Sequence, residues 1–127
     1  MAKKVLIVDD DPDFVEAISV LLEAKGYAIS SSEDGEKGFE KAKAEVPDLI
    51  MLDVMMTKKG EGFDIARNLK NEDVTKDIPI IIVTGVKREM SLSFGFEPDE
   101  TWLPVKEVLE KPVKPEVLLG AIEKYIN

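Results

Sequence analysis

Asp48-Leu49-Ile50-Met51-Leu52-Asp53 sets four apolar residues in a row between two carboxylates. A run of that length, bounded by Pro47 and by polar residues from Thr57 onward, reads as a strand buried on both faces of a parallel sheet. Asp53 then arrives at the sheet's carboxyl edge, where open α/β folds place their ligand sites. Val5-Leu6-Ile7-Val8-Asp9-Asp10-Asp11 has the same form, so two strand ends deliver acids toward one crevice.

Composition narrows what this crevice can do. A chain of 127 residues, 44% of them hydrophobic, suits one domain over residues 1–127 and can bury roughly two-thirds of its unfolded surface. The formal net charge of -9 opposes direct binding to nucleic acid or to an anionic membrane. Cysteine is absent, which excludes disulfides, thiolate metal sites and cysteine nucleophiles. Histidine is absent too, removing the usual general base and every imidazole ligand. Chemistry must therefore run on carboxylates, hydroxyls and lysine. The apolar run after Met1-Ala2-Lys3-Lys4 is too short for a signal-peptide core, and no run approaches membrane-spanning length, so a soluble cytoplasmic protein is expected.

Along the chain, strands alternate with helices. Residues 4–8 form the first strand, and Asp11-Pro12 supplies an N-cap followed by proline at the first helical position. That helix runs to about Lys25 and stops at Gly26. Its polar stripe is narrow, and the excess apolar surface around Phe14, Ala17 and Val20 could serve as a docking row for a partner helix or pack on a neighbour. A weaker strand at 27–32 suits a sheet edge, and Asp34-Gly35 opens a helix that Pro47 stops. Residues 55–62 read as a loop, 63–70 as a short helix, 71–77 as a polar connector and 78–85 as another apolar strand. Residues 86–104, broken by serine, glycine and proline, suggest a short or irregular element. A last strand at 107–110 leads to Lys111-Pro112, and Pro115 opens the final helix. The alternation predicts an α/β fold with a doubly wound, five-stranded parallel sheet between two helical layers.

In such a sheet the first polar residues after the apolar runs converge: Asp9, Asp10, Asp53, Thr84 and Lys111. Carboxylates so placed repel by about 4 kcal/mol per pair at ~4 Å and an effective dielectric near ~20, so they call for a cation. An all-oxygen set favours magnesium, which keeps several waters and leaves positions for phosphate oxygens. Lysine and hydroxyl donors at Lys111 and Thr84 suit the charge of a phosphoryl-transfer transition state. Asp53, alone on the central strand, is the candidate nucleophile, since acyl phosphates on aspartate are an established covalent type. Asp11 is better explained as a helix cap than as a ligand.

These residues resemble the receiver domain of bacterial two-component response regulators, of the stand-alone, single-domain type, across essentially the whole chain. The resemblance rests on Val8-Asp9-Asp10, Leu52-Asp53, Val83-Thr84-Gly85 and Glu110-Lys111-Pro112. It implies a flavodoxin-like strand order of 2-1-3-4-5, phosphorylation of Asp53 by a histidine kinase or histidine phosphotransfer protein, and an output through binding of a downstream protein. Magnesium ligation by Asp10, Asp53 and the Met55 carbonyl, with Asp9 acting mainly through water, is implied as well. No enzymatic turnover beyond self-catalysed phosphotransfer and slow autodephosphorylation is implied. Departures from the family pattern are Thr57 where a proline is usual, a loop to Gly62 about one residue longer, a long broken segment at 86–104, and Val108 where the switch partner of Thr84 is often aromatic. Two other readings stay open: a binding domain of this fold that works without phosphorylation, and a magnesium-dependent phosphatase of the haloacid-dehalogenase type with Asp9 as nucleophile. Against the latter, Asp13 stands where that pattern usually has threonine or valine.

Overall fold

The computed structural model describes residues 3–53, 61–84, 106–110 and 113–126. Within them the elements run β1 (Lys4–Val8), α1 (Pro12–Ala24), β2 (Ala28–Ser32), α2 (Gly35–Glu45), β3 (Leu49–Leu52), α3 (Glu61–Lys70), β4 (Ile80–Thr84), β5 (Glu107–Glu110) and α4 (Pro115–Tyr125). The five strands form one sheet in the order β2-β1-β3-β4-β5, every neighbouring pair parallel. This is the expected doubly wound, flavodoxin-like arrangement.

Local chemistry accounts for the boundaries. Asp11 caps α1, its Oδ1 accepting from the amides of Asp13 at 3.2 Å and Phe14 at 3.3 Å, with Pro12 in the first turn. The helix closes on Gly26, whose φ of 95° is open to glycine at little cost. Tyr27 then gives its amide to the Leu22 carbonyl at 3.1 Å, so β2 begins at Ala28, one residue later than the sequence suggests. Asp34 caps α2 by accepting from the Lys37 amide at 2.7 Å. That helix ends where Val46 adopts φ 47°, a left-handed conformation uncommon for a β-branched residue, immediately before Pro47.

Two further boundaries need correction. The third helix begins at Glu61, two residues before the expected start at Phe63. The strand expected from Ile78 begins at Ile80, because the Ile78 amide closes a turn onto the Thr75 carbonyl at 3.0 Å and Pro79 has no amide to give. The expected irregular element at 86–104 lies outside the described residues.

Alternating side chains divide the core into two layers. Leu6, Val8, Ile50, Leu52, Ile80 and Ile82 face Ala42 of α2 and Ile65, Ala66 and Leu69 of α3. Val5, Ile7, Leu49, Met51, Ile81 and Val83 face Ile18 and Leu22 of α1 and Leu118, Ala121 and Ile122 of α4. All four residues of β3 are buried, which explains its unbroken apolar run. Each fully buried leucine or isoleucine contributes about 1.5–3 kcal/mol, so the central strands anchor the sheet.

Candidate functional site

The sheet register sets the site. Val8 pairs with Leu52 as the last rung shared by β1 and β3, so Asp9 and Asp53 leave adjacent parallel strands at the same level. Both backbones are held one step further. The Asp9 amide donates to the Ser32 carbonyl at 3.0 Å, and the Asp53 amide donates to the Val8 carbonyl at 2.9 Å. The acids thus start from fixed points rather than from loops.

Their side chains meet. Carboxylate oxygens of Asp9, Asp10 and Asp53 all lie within 4.8 Å of one another. Asp9 and Asp53 are 3% and 5% exposed, whereas Asp10 faces solvent. Asp9 Oδ1 accepts from the Asp11 amide at 2.9 Å, while the Asp11 carboxylate is turned to its capping role, as the sequence indicates. Clustered carboxylates in a buried setting are costly unless a cation compensates them.

Magnesium fits this donor set. All the donors are carboxylate oxygens, the ligand type magnesium prefers, and oxygens within 4.8 Å of one another can be drawn around one such ion by side-chain rotation. Asp10, exposed beside two buried acids, leaves the outer side open to water and to phosphate oxygens.

The remaining predicted residues are placed by register alone. Thr84 ends β4 and pairs with Glu110, one step beyond the level at which Asp53 leaves β3. Val108 pairs with Ile82 on β5, the strand next to β4. Met55 and Lys111 lie outside the described residues. In the proposed docking row, Ala17 is exposed, Val20 is 63% exposed, and Phe14 is half-buried against the core that contains Ile7 and Ile18. One feature escaped the sequence reading: a cleft of about 230 Å³ beside Asp9, lined by Pro12, Val15, Glu16, Ser31, Ser32 and Glu33. Helical phasing from the Asp11 cap puts Val15 and Glu16 on adjoining faces, but only the fold brings them to the end of β2.

With this geometry in view, the family model of the response regulator receiver domain matches residues 5–123. The chain belongs to this family. It is 34% identical over 124 residues to the DNA-binding dual master transcriptional regulator RpaA of Synechocystis, covering 98% of this chain and 49% of that protein. Against PilH of Pseudomonas aeruginosa it is 33% identical, covering 97% of each chain. The solved structure of the chemotaxis response regulator CheY4 of Vibrio cholerae superposes with a TM-score of 0.84 at 28% identity, covering 99% of this chain and 100% of that one. Our chain spans about half the length of the transcriptional regulators RpaA and PhoP that it matches. As a two-component receiver domain it is a signalling domain rather than a conventional enzyme, and phosphorylation-dependent signalling with histidine kinases and downstream targets is the business of the family.

Proposed function

We propose that this chain is a phosphorylation switch in which Asp53 accepts a phosphoryl group from a histidine kinase or a histidine phosphotransfer protein. The observation that carries the reading is the meeting of Asp9, Asp10 and Asp53 within 4.8 Å at the ends of two adjacent strands. Asp10, Asp53 and the Met55 carbonyl would hold the magnesium, with Asp9 acting mainly through water. Bound there, the ion would supply charge neutralisation for the transferring phosphoryl oxygens.

The chain's own groups do the rest. Asp53 forms the new P–O bond as the donor's P–N bond breaks, and the departing imidazole keeps the electron pair and takes up a proton. Burial of Asp53 restricts water around the acyl phosphate. Thr84 and Lys111 donate to the phosphoryl oxygens and are drawn toward them, which biases a two-state surface read by a downstream protein. Val108, on the strand next to β4, stands at the switch position where relatives often have an aromatic residue. Phe14, Ala17 and Val20 form the docking row for a helix of the phosphodonor. Residues 1–127 act as one domain, in the cytoplasm, without direct contact with nucleic acid or membrane; among the described residues no helix is long and apolar enough to cross a membrane.

Incubation with magnesium and acetyl phosphate, followed by intact mass measurement, tests the assignment. Wild type should gain one phosphate and Asp53→Ala none. Equal labelling of the two proteins would remove Asp53 from its role.

A further inference from the structure

We propose that the cleft between the N-terminal turn of α1 and the end of β2 receives an arginine side chain from the phosphodonor protein. The inference rests on the phosphorylation reading and names part of the partner's surface. Asp9, Pro12, Val15, Glu16, Ser32 and Glu33 line the cleft. Its volume of about 230 Å³ is below the roughly 300–1,000 Å³ of small-molecule sites and suits one long side chain rather than a nucleotide or cofactor.

The lining is amphipathic in the way such a side chain is. Pro12 and Val15 offer an apolar wall for three methylenes, and Glu16 and Glu33 offer carboxylates for the charged head. Glu16 and Glu33 are both exposed, and neither forms an ion pair among the described residues. Lys41 of α2 donates its Nζ to the carbonyl of Ser31, a further lining residue, at 2.7 Å, so its charge is held at the backbone of β2. A planar guanidinium with five donors can address two carboxylates at once, which an ammonium does less well. Asp9 belongs to both the cleft and the acidic cluster, so the cleft adjoins the carboxylates among which Asp53 would receive its phosphoryl group.

The test is a titration of ¹⁵N-labelled protein, saturated with magnesium, with N-acetyl-arginine amide and with N-acetyl-norleucine amide. Saturable shifts at the amides of Val15, Glu16, Ser32 and Glu33 are expected with the arginine probe alone. The Glu16→Gln/Glu33→Gln variant should weaken its apparent affinity at least threefold while still gaining one phosphate from acetyl phosphate. Equal shifts with norleucine, unchanged affinity in the variant, or arginine shifts seen only when magnesium is left out each overturn the proposal. If wild type takes the arginine probe but no phosphate, the phosphorylation reading fails and the named partner with it. Phosphate uptake without cleft shifts overturns the cleft assignment alone.

Discussion

The amide of Asp53 donates to the carbonyl of Val8 at 2.9 Å, which ties the proposed acceptor to the residue immediately before Asp9. Two buried acids therefore share one fixed backbone junction, and their separation is set by the sheet. Metal affinity should depend on the carboxylates of Asp10 and Asp53 without their loss disturbing the strands. Asp10→Asn and Asp53→Asn are each expected to lower magnesium affinity by tenfold or more, read by calorimetric titration. Because repulsion is relieved, thermal stability without metal should rise or stay level. A drop in affinity of less than twofold in both variants would remove these acids as ligands.

Asp11 separates the switch from the phosphatase reading. Its carboxylate caps α1, so Asp11→Ala should cost about 1 kcal/mol in chemical denaturation. Phosphate uptake from acetyl phosphate should remain, since Asp11 is not needed to hold metal or phosphate. Abolished uptake in a folded Asp11→Ala protein would return Asp9-Asp10-Asp11 to consideration as a catalytic motif.

Gly38 is where α2 comes closest to β1. A Cβ built there lies 2.8 Å from both methyl carbons of Val8, a stiff β-branched side chain with little room to yield. Gly38→Leu should therefore destabilise the fold by about 1–3 kcal/mol through overpacking, measured by urea denaturation. Restoration by Val8→Ala in the same chain would locate the strain at this contact.

Lys70 closes the connector that leads into β4. Its Nζ donates to the carbonyls of Ile78 at 2.7 Å and Lys76 at 3.0 Å, and partial burial, then the charge of Lys106, lower its pKa from the usual lysine value while Asp77 opposes them. Lys70→Met leaves those carbonyls without this donor but also removes a desolvated charge. A net loss of about 1 kcal/mol is expected, seen as a lower denaturation midpoint.

Tyr27 gives a pH prediction with a definite sign. Burial, followed by the charge of Glu123, raises its pKa above 10.0. Between the unfolded and folded values the native state keeps a proton that the unfolded chain has lost, so its contribution is full below about pH 10 and disappears as pH rises through the folded value. Tyr27→Phe should lose less stability than wild type over that alkaline window, followed by midpoints of urea denaturation. Parallel pH profiles for the two proteins would contradict the shift.

Much of this was readable from the chain because its buried strands are written as uninterrupted apolar runs with acids directly after them. Leu49 to Leu52 could hardly be anything else, and the Asp11-Pro12 and Asp34-Gly35 starts announce their helices through hydrogen bonds that the structure contains. Boundaries failed where a helix end or a local turn captures an apolar residue. Ile78 reads as strand but is buried in a turn, and Tyr27 reads as strand but closes α1. The left-handed conformation of Val46 has no signal at all, since a β-branched residue is among the poorest choices for it. The acidic cluster was legible because each member follows an apolar run. The cleft at Glu16 and Glu33 was not, because Glu16 lies on α1 and Glu33 just beyond β2, and only the folded chain brings both to one cleft.

β3 is hydrogen-bonded to a parallel neighbour on each side and its side chains are 0–1% exposed. Amide hydrogens along Ile50, Met51 and Leu52 should therefore exchange with solvent only when the whole domain opens. Under the proposed reading, modification of Asp53 would find no free strand to slide, and a phosphate at its tip would reach the rest of the molecule by recruiting groups from the ends of other strands. The strand that carries Asp53 is the part of the domain least able to report on it.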